Sequence, residues 1–308
     1  MVIIMKITVF TPTYNRGELL EKLFLSLEAQ SCKAFEWVIV DDGSTDNTEE
    51  VALNIKKKAS FLVTYAKKKN GGKHTAINIG AQLAQAPWFF IVDSDDYLIS
   101  NAIEIVLRYI STVECDEKFA GVAGLRGNSK GDPWEIWYKK NKEHTCSHSQ
   151  NTQFYMDATC IDYRFKYKRQ GDRAEIVRTE LVKKYPFPQF DDEKFLVETH
   201  LWFNLAKHGY RFRWFDEVIY ITEYREDGLT KNISKAYKNS PKGSTYTYNL
   251  ILSCQSIPLY EQVRASYNYF LYGRIAGYKM KDLISQCNKK ILLPIGLILS
   301  FIKQKNER

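Results

Sequence analysis

The sequence lacks several patterns that would assign a chain of 308 residues to a well-marked class. Its six cysteines include no C-x-x-C pair, which argues against a zinc ribbon or a disulfide framework and fits reduced thiols in a cytoplasm. The phosphate-binding pattern G-x-x-x-x-G-K-[ST] is missing. A P-loop site is therefore not predicted.

Long apolar runs are also missing. No segment approaches the ~20 apolar residues of a membrane span, and the opening MVIIMKITVF lacks the h-region of a signal peptide. The longest apolar stretch, Ile291 to Ile302, is interrupted by Pro294 and flanked by lysines. Two interpretations of residues 289–305 stay open, namely an interfacial segment on an anionic membrane face or a helix docked on the folded domain.

The composition is that of a globular protein with a substantial core. Hydrophobic residues make up 44% and charged residues 26% of the chain, whose length suits one large domain or two ordinary ones. The net charge of +8 favours an anionic partner without choosing among nucleotide, phospholipid and nucleic acid. The lysines are dispersed and do not form a recognisable nucleic-acid module, so no nucleic-acid partner is predicted.

Strand and helix patterns alternate over the first 112 residues. Apolar, β-branched runs predict strands at 5–10, 36–42, 61–66 and 87–93. Helical spacing of apolar residues predicts helices at 16–30, 46–59, 73–85 and 100–112. Such alternation indicates βαβ units, and hence an α/β fold with a mainly parallel sheet that is covered by helices on both faces.

The pattern from residue 113 onward is less regular. One clear helix is predicted at 198–209, followed by two short strands, RFRWF (211–215) and VIYITEY (218–224). The polar residues 234–247 are typical of a flexible loop, and the tyrosine-rich remainder has a helical pattern.

Carboxylates are crowded directly after the fourth predicted strand. In FFIVDSDDYL, Asp93, Asp95 and Asp96 fall within four positions. Either this is a solvated turn that caps the next helix, or a divalent cation and its ligand complete the site. Alternate residues leaving a strand can point their carboxylates the same way, and Mg²⁺ and Mn²⁺ prefer oxygen ligands.

Three further segments follow predicted strands or open a helix. TPTYNR (11–16) can wrap a nucleobase, and in VDDGSTDNT (40–48) Asp42 can accept the N3–H of a uracil ring, whereas Asp46 suits a helix cap. In NGGKHTAINIG (70–80), paired glycines before a helix let backbone N–H groups approach a phosphate, and Lys73 would add charge. Each segment has an ordinary alternative as a turn, a cap or a solvated lysine.

Together and in this order, these four segments resemble the family 2 glycosyltransferases, which have the nucleotide-diphosphosugar transferase (GT-A) fold. The resemblance covers residues 5 to 110. It implies an inverting transfer of sugar from a nucleotide-diphosphate sugar, a UDP-sugar, to the hydroxyl of a lipid-linked or polysaccharide acceptor. It also implies a Mn²⁺ or Mg²⁺ cofactor.

By matching position, the resemblance implies roles for individual residues. Asp95 is expected to bind the metal, and Asp93 the metal or the ribose. Asp42 is expected to contact the uracil, beside a loop that contains Pro12 and Tyr14. Lys73 is the expected phosphate contact.

The general base is expected at VETHLWFNL (197–205). The family usually has an acidic pair there, followed by an aromatic and a basic residue, but here Glu198 is the acid that remains and Asn204 stands where an arginine is common. Glu198 is the expected base, and the competing candidates are Asp191, Asp192 and Glu193. A glutamate at a helix start can instead simply complement the helix dipole.

The resemblance divides the chain into a glycosyltransferase domain, 1–230, and a helical extension, 231–308, with a candidate membrane-interface segment at 289–305. The first domain is expected to have a nucleotide-sugar half, about 1–112, and an acceptor half, about 113–230. Two other functions stay open: a sugar-nucleotide nucleotidyltransferase and a non-catalytic nucleotide-binding scaffold. We expect a cytoplasmic protein or one that is peripheral on the inner face of the cell membrane.

Overall fold

A computed structural model describes residues 4–133, 155–169, 171–223 and 229–298. The chain forms two compact units. The first, here the sheet unit, comprises Met1–Asn70, Ala76–Pro186 and Gly209–Tyr224. The second, here the helical unit, comprises Gly71–Thr75, Phe187–His208 and Arg225–Arg308. The predicted domain division at residue 230 stays a prediction.

The sheet unit is built on one mixed sheet. In chain order its strands are β1 (Ile7–Thr13), β2 (Phe35–Asp41), β3 (Val63–Lys67), β4 (Trp88–Ile91), β5 (Tyr97–Leu98), β6 (Phe119–Gly127), β7 (Tyr155–Ala158), β8 (Arg173–Arg178) and β9 (Arg211–Ile221). Their spatial order is β3-β2-β1-β4-β8-β6-β9-β5, and β7 pairs with β9 outside this path.

The first four strands form the parallel part of the sheet. Antiparallel pairs join β8 to β4 and to β6, and they join β5 and β7 to β9, while β6 and β9 run parallel. Strands β1, β2 and β4 are buried along their whole length, as expected of parallel strands covered on both faces. The predicted α/β fold with a mixed, mainly parallel sheet is confirmed.

Helices follow the parallel strands as the sequence predicts. They are α1 (Gly17–Glu28), α2 (Thr48–Lys58), α3 (Lys73–Leu83), α4 (Ala102–Ile110) and, later in the chain, α5 (Thr179–Lys184). A π-helical turn spans Asp162–Lys166. In α1 the buried leucines are Leu20, Leu23 and Leu27, whose spacing places them on one face of the helix against the core.

Two predictions for strands are wrong in detail. Strand β1 runs through Thr13, so Pro12 lies in the strand, opposite Val40, and the loop begins only at Tyr14. The two short strands predicted at 211–224 are one strand, β9. Its pairing with β6 shifts register where Ala123 faces Trp214 and Leu125 faces Val218, so a bulge accommodates the intervening residues without ending the strand.

The helical unit contains α6 (Thr199–Lys207), α7 (Leu229–Asn239), α8 (Pro241–Ser253), α9 (Leu259–Ile275) and α10 (Met280–Gln286). A 3₁₀ turn, Lys290–Leu292, continues into helical residues 293–298. The helical unit has a core formed by an apolar cluster of Leu252, Ala265, Tyr269, Phe270, Leu283, Cys287 and Leu292.

The flexible loop predicted at 234–247 is wrong, because α7 and α8 span it. Helix α8 begins with Pro241, whose ring suits a first helical position. Its next two backbone N–H groups, from Lys242 and Gly243, each donate at 2.7 Å to the carboxylate of Glu193. A distant acid therefore stabilises the start of a helix that the local polar sequence does not indicate.

Among the residues that the structure describes, no helix has the length and apolar character needed to cross a bilayer. The candidate interface segment 289–305 is described as far as residue 298, and its last seven residues lie outside the described part.

Candidate active site

The parallel strands β2, β1 and β4 lie side by side, with β1 in the middle. Successive connections therefore diverge on either side of β1, and in open α/β sheets ligands bind beyond the carboxyl ends of the strands at such a point. The loops that start at Tyr14, Asp42 and Val92 leave these three ends. The acids predicted to line this edge, Asp42, Asp93 and Asp95, all follow strand ends.

Asp95 forms an ion pair with Arg16. The guanidinium Nη1 lies 2.6 Å from the Asp95 carboxylate, and both side chains are partly buried. The pair joins the loop after β1 to the loop after β4. Because a charged hydrogen bond is stronger than a neutral one, this pair holds the two loops together, and it neutralises Asp95.

Asp96, for which the sequence indicates no role, is buried beneath this edge. The Tyr220 hydroxyl donates to its carboxylate at 2.7 Å and accepts the backbone N–H of Asp93 at 2.9 Å. Burial, followed by the negative charge of Asp93, raises the pKa of Asp96 to about 7. Two of the crowded carboxylates thus have separate partners. Asp95 is paired with an arginine, and Asp96 accepts a hydrogen bond from a buried tyrosine.

Asp42 forms a second ion pair, with Lys68. The ammonium lies 2.5 Å from Asp42 Oδ1, and both side chains are largely buried. Gly43, at φ +83°, makes this approach feasible, since a Cβ there would lie 2.8 Å from the Asn70 backbone nitrogen. The neighbouring Asp41 accepts bonds from the Ser44 N–H and the Tyr65 hydroxyl, which indicates a structural role for that acid.

The loop after β1 is tied to the loop after β2. The Asn15 N–H donates to Ser44 Oγ at 2.8 Å, and the Asn15 side chain accepts the Thr45 N–H at 2.8 Å. Tyr14, next to this link, has an exposed ring that suits stacking on a planar base. Asp46 accepts two hydrogen bonds from Thr48 at the start of α2, as the capping interpretation predicts.

In the helical unit, Lys73 and Glu198 form an ion pair with a 2.7 Å separation. Glu198 is the N-cap residue of α6, but its side chain makes no capping hydrogen bond, so capping does not account for it. Gly72 holds the segment before Lys73 against Lys194, whose carbonyl oxygen would lie 1.9 Å from a Cβ at residue 72. Two of the predicted residues, distant in sequence, are therefore in contact.

The competing acids differ in their surroundings. Glu193 is engaged with both of its oxygens at the start of α8. Asp191 and Asp192 are exposed, and Asp192 has a left-handed backbone conformation, φ +64°. In the same unit, the buried His200 lies 2.9 Å from the Tyr246 hydroxyl through Nδ1.

Sequence reasoning missed three residues at this edge of the sheet: Arg16, Lys68 and Tyr220. Arg16 ends the segment TPTYNR, and its charge could have suggested a partner among the nearby acids. Lys68 lies within a run of three lysines that is typical of a solvated surface, and Tyr220 lies within a strand. No sequence signal distinguishes either of these two.

A divalent cation fits this edge only with help from a ligand. Among the described residues, no group of three or more His, Cys, Asp or Glu side chains could hold a metal ion. Asp93 and Asp95 offer carboxylate oxygens, the donors that Mg²⁺ and Mn²⁺ prefer, but not a complete shell. This donor set fits a cation that takes its remaining ligands from water and a bound diphosphate.

Comparison with known proteins identifies the family. The model of glycosyl transferase family 2 matches residues 8–175, more than half of the chain. The chain belongs to glycosyl transferase family 2. The family resemblance drawn from the four motifs is therefore confirmed, and it places the chain among the transferase enzymes.

One relative is the poly(ribitol-phosphate) β-N-acetylglucosaminyltransferase TarP of Staphylococcus aureus, which is 34% identical over 140 residues. The match covers 44% of this chain and 42% of TarP, so the chain spans about two fifths of that relative.

Two solved structures share the fold. TarS residues 1–349 of S. aureus, in complex with UDP-GlcNAc, has a TM-score of 0.57 at 18% identity, covering 98% of this chain and 92% of that one. The mannosyltransferase PcManGT of Pyrobaculum calidifontis, in complex with GDP-Man and Mn²⁺, has a TM-score of 0.58 at 14% identity. The match covers 97% of this chain and 87% of that one. Both confirm the predicted GT-A fold.

Proposed function

We propose that this protein transfers a sugar, with inversion, from a UDP-sugar to an acceptor hydroxyl on a cell-surface glycan. The observation that carries the proposal is the pair of acids, Asp42 and Asp95, at the carboxyl edge of the parallel sheet. Each of them forms an ion pair with a basic side chain from a neighbouring loop. Family membership supports the reaction class. The UDP-GlcNAc bound to the structural neighbour TarS supports the donor class.

The donor would bind along this edge. Asp42 would accept the N3–H of uracil, with Pro12 and Tyr14 beside the ring. Asp93 would bind the ribose or the metal. Lys73 follows paired glycines at the N-terminus of α3, where the helix dipole favours an anion, and is proposed to contact the diphosphate.

Asp95, together with Asp93, would hold Mn²⁺ or Mg²⁺. A bound cation would neutralise the negative charge that develops on the departing nucleoside diphosphate. The Mn²⁺ in the PcManGT complex supports a divalent cation in this fold.

Glu198 is proposed as the general base. Its carboxylate would take the proton of the acceptor hydroxyl while that oxygen attacks the anomeric carbon on the face opposite the leaving diphosphate. The new carbon–oxygen bond forms as the bond to the diphosphate breaks, which inverts the configuration. The ion pair with Lys73 holds the Glu198 carboxylate in a defined place before substrate binds.

The acceptor is proposed to be polymeric or lipid-linked. The relative TarP is named for poly(ribitol-phosphate), an anionic polymer, and the net charge of +8 favours such a partner. A lipid-linked acceptor is supported by the C-terminal helical residues, where Ile291, Ile295 and Ile298 are 80%, 48% and 60% exposed. We propose that this isoleucine face rests on an anionic membrane surface.

The test is turnover on a panel of nucleotide sugars with and without Mn²⁺, comparing the full-length wild type with Asp95→Ala. Loss of the cation ligand should abolish metal-dependent release of nucleoside diphosphate. Asp116→Ala, which removes a surface acid paired with Arg211, serves as the matched control and should behave as wild type.

Equal, metal-independent turnover in wild type and Asp95→Ala would refute the proposed site. Wild-type binding of UDP-sugar without any turnover would instead favour the non-catalytic scaffold. Family membership favours glycosyl transfer over nucleotidyl transfer. Formation of a sugar nucleotide from a sugar phosphate and a nucleoside triphosphate, with release of pyrophosphate, would reverse that preference.

A further inference from the structure

Residues 162–168, here the basic turn, have the sequence DYRFKYK, in which basic and aromatic side chains alternate. Arg164, Lys166 and Lys168 are exposed, and in the described part of the chain none of the three forms an ion pair. The one acid of the turn, Asp162, accepts a hydrogen bond from a threonine hydroxyl at 2.9 Å instead. The turn therefore presents three positive charges that the described acids do not neutralise.

The backbone of the basic turn is anchored to the sheet. Tyr163 is buried and stacks on Trp214, with ring centroids 4.0 Å apart, and its hydroxyl accepts a hydrogen bond from the Arg173 guanidinium. The Tyr167 N–H donates to the Asp162 carbonyl oxygen at 2.9 Å, which closes the π-helical turn. Because the backbone is already ordered, a ligand of the exposed cations does not have to order it on binding.

The basic turn lies at the same edge of the sheet as the proposed donor site. Strand β8 runs antiparallel to β4, with Ile176 opposite Phe90. The first residue of β8, Arg173, therefore lies beyond the end of β4, at the carboxyl edge of the parallel strands. Since Tyr163 of the turn contacts Arg173 directly, the turn is at this edge too.

Three cations at alternate positions suit a partner with repeated negative charges. Arg164 can bind a phosphate through two parallel hydrogen bonds, and Lys166 and Lys168 can act as point charges. Each phosphate that a cation neutralises releases counter-ions, so the affinity for a polyanion rises with the number of cations presented.

A bilayer suits the basic turn less well than a polymer does. Binding at a membrane interface also needs apolar side chains that enter the lipid. Tyr167, which is 39% exposed, is the only large apolar side chain that the turn exposes. The charge of the turn is therefore better matched by a phosphate-bearing polymer in solution.

We infer that the basic turn binds the phosphate groups of an anionic polymeric acceptor. This inference rests on the proposed function and specifies which side chains hold the acceptor. Phosphates along the acceptor contact Arg164, Lys166 and Lys168, and a hydroxyl group of the same polymer reaches the carboxyl edge of the sheet from there.

Fluorescence anisotropy of a labelled inorganic polyphosphate chain, titrated with the full-length protein in the absence of metal, tests the inference. The turn variant, Arg164→Gln/Lys166→Gln/Lys168→Gln, should bind this probe at least about tenfold more weakly than wild type. Between about 50 and about 200 mM salt, its affinity should fall less steeply, because fewer counter-ions are released. The charge-preserving variant Arg164→Lys/Lys166→Arg/Lys168→Arg should bind as wild type does.

The matched control is the α2 variant, Lys56→Gln/Lys57→Gln/Lys58→Gln, which removes three charges from exposed lysines of the same unit. Helix α2 begins after the carboxyl end of β2 and returns to the start of β3, so these lysines lie at the opposite edge of the sheet. The α2 variant should keep most of the wild-type affinity for polyphosphate. Both variants should keep the wild-type melting temperature and the wild-type affinity for UDP with Mn²⁺.

Equal losses of affinity in the turn variant and the α2 variant would show that net charge alone attracts the polymer, which overturns the inference. A turn variant that binds polyphosphate as wild type does, or a wild type that does not bind it, also overturns the inference. Should the turn variant fail to fold, Lys166→Gln alone decides, with an expected loss of about fivefold.

A turn variant that binds polyphosphate normally but no longer sediments with anionic vesicles would assign the turn to a membrane surface and overturn the inference. All of these outcomes leave the proposed function intact if UDP binds with Mn²⁺. Wild type that binds polyphosphate but not UDP with Mn²⁺ overturns the proposed function and, with it, the acceptor role of the turn.

Discussion

Arg16 and Asp95 form a 2.6 Å ion pair that joins the loop after β1 to the loop after β4. Each residue belongs to a separate motif of the family resemblance, and the acid is the one proposed to bind a divalent cation. A guanidinium and a metal ion compete for the same negative charge. When no nucleotide sugar is bound, Arg16 therefore neutralises part of the charge that a metal ion would otherwise neutralise.

The first prediction concerns this competition. Arg16→Gln should bind Mn²⁺ more tightly than wild type when both are saturated with UDP, because the Asp95 carboxylate no longer has a competing counter-ion. A partly exposed pair is worth at most about 1 kcal/mol, so the gain should be about twofold to fivefold. Electron paramagnetic resonance of free Mn²⁺ measures it.

Arg108→Gln is the matched control for Arg16→Gln, since it removes an arginine of the sheet unit that pairs with Glu217 at 2.6 Å. Its affinity for Mn²⁺ should equal that of wild type. Unchanged affinity in Arg16→Gln would show that Asp95 does not bind the metal or that Arg16 does not restrain it.

The second prediction separates the candidate bases. Glu198→Gln should lower kcat by about 10²- to 10⁴-fold, the usual contribution of a general base, with little change in UDP affinity. Asp191→Asn and Asp192→Asn, which alter exposed side chains, should retain activity. Single-turnover kinetics together with UDP titration distinguish loss of chemistry from loss of binding.

Glu193→Gln should behave differently from the other three, since Glu193 accepts the first N–H groups of α8. Its melting temperature should fall while the activity of the folded fraction persists. Activity that survives in Glu198→Gln but disappears in one of the other variants would transfer the role of base to that residue.

The third prediction concerns Tyr220, whose hydroxyl bridges the Asp93 backbone N–H and the Asp96 carboxylate. Tyr220→Phe keeps the ring but leaves both groups without this partner in a buried place. Each such loss costs about 1–3 kcal/mol, so urea denaturation should show a clear decrease in the free energy of unfolding. Tyr260→Phe, at an exposed tyrosine, should change nothing. A decrease below about 0.5 kcal/mol in Tyr220→Phe would contradict the structural role.

The fourth prediction concerns the isoleucine face of Ile291, Ile295 and Ile298. Leu292 is buried in the helical cluster and Gly296 packs against Ser266, so the same segment docks through one face and exposes another. Replacing the three isoleucines with serine should reduce sedimentation with anionic lipid vesicles by tenfold or more, at about 1 kcal/mol or more for each side chain partly removed from water.

The melting temperature of this triple variant should stay close to that of wild type, because the altered side chains are exposed. Ile284→Ser, at an exposed isoleucine of α10, is the control and should sediment as wild type does. Full sedimentation of the triple variant, or equal sedimentation with neutral vesicles, would contradict the membrane proposal.

Local sequence patterns were sufficient for the parallel half of the fold. Apolar, β-branched runs and helical spacing over the first 112 residues predict β1 to β4 and α1 to α4 to within a few residues of their observed bounds. The acids Asp42, Asp93 and Asp95 then had to lie at one edge, because parallel strands share their carboxyl ends. The motifs at those ends led to the correct family because their residue types and their order can be read directly from the sequence.

Contacts between residues that are distant in sequence could be identified only from the tertiary structure. Nothing local to Lys68 distinguishes it from Lys67, yet one is largely buried against Asp42 and the other is on the surface. The start of α8, within 234–247, likewise depends on the distant Glu193, whose carboxylate accepts its first N–H groups. Propensity and periodicity act within about four residues along the chain, whereas the partner of a charge and the fate of a polar segment depend on packing.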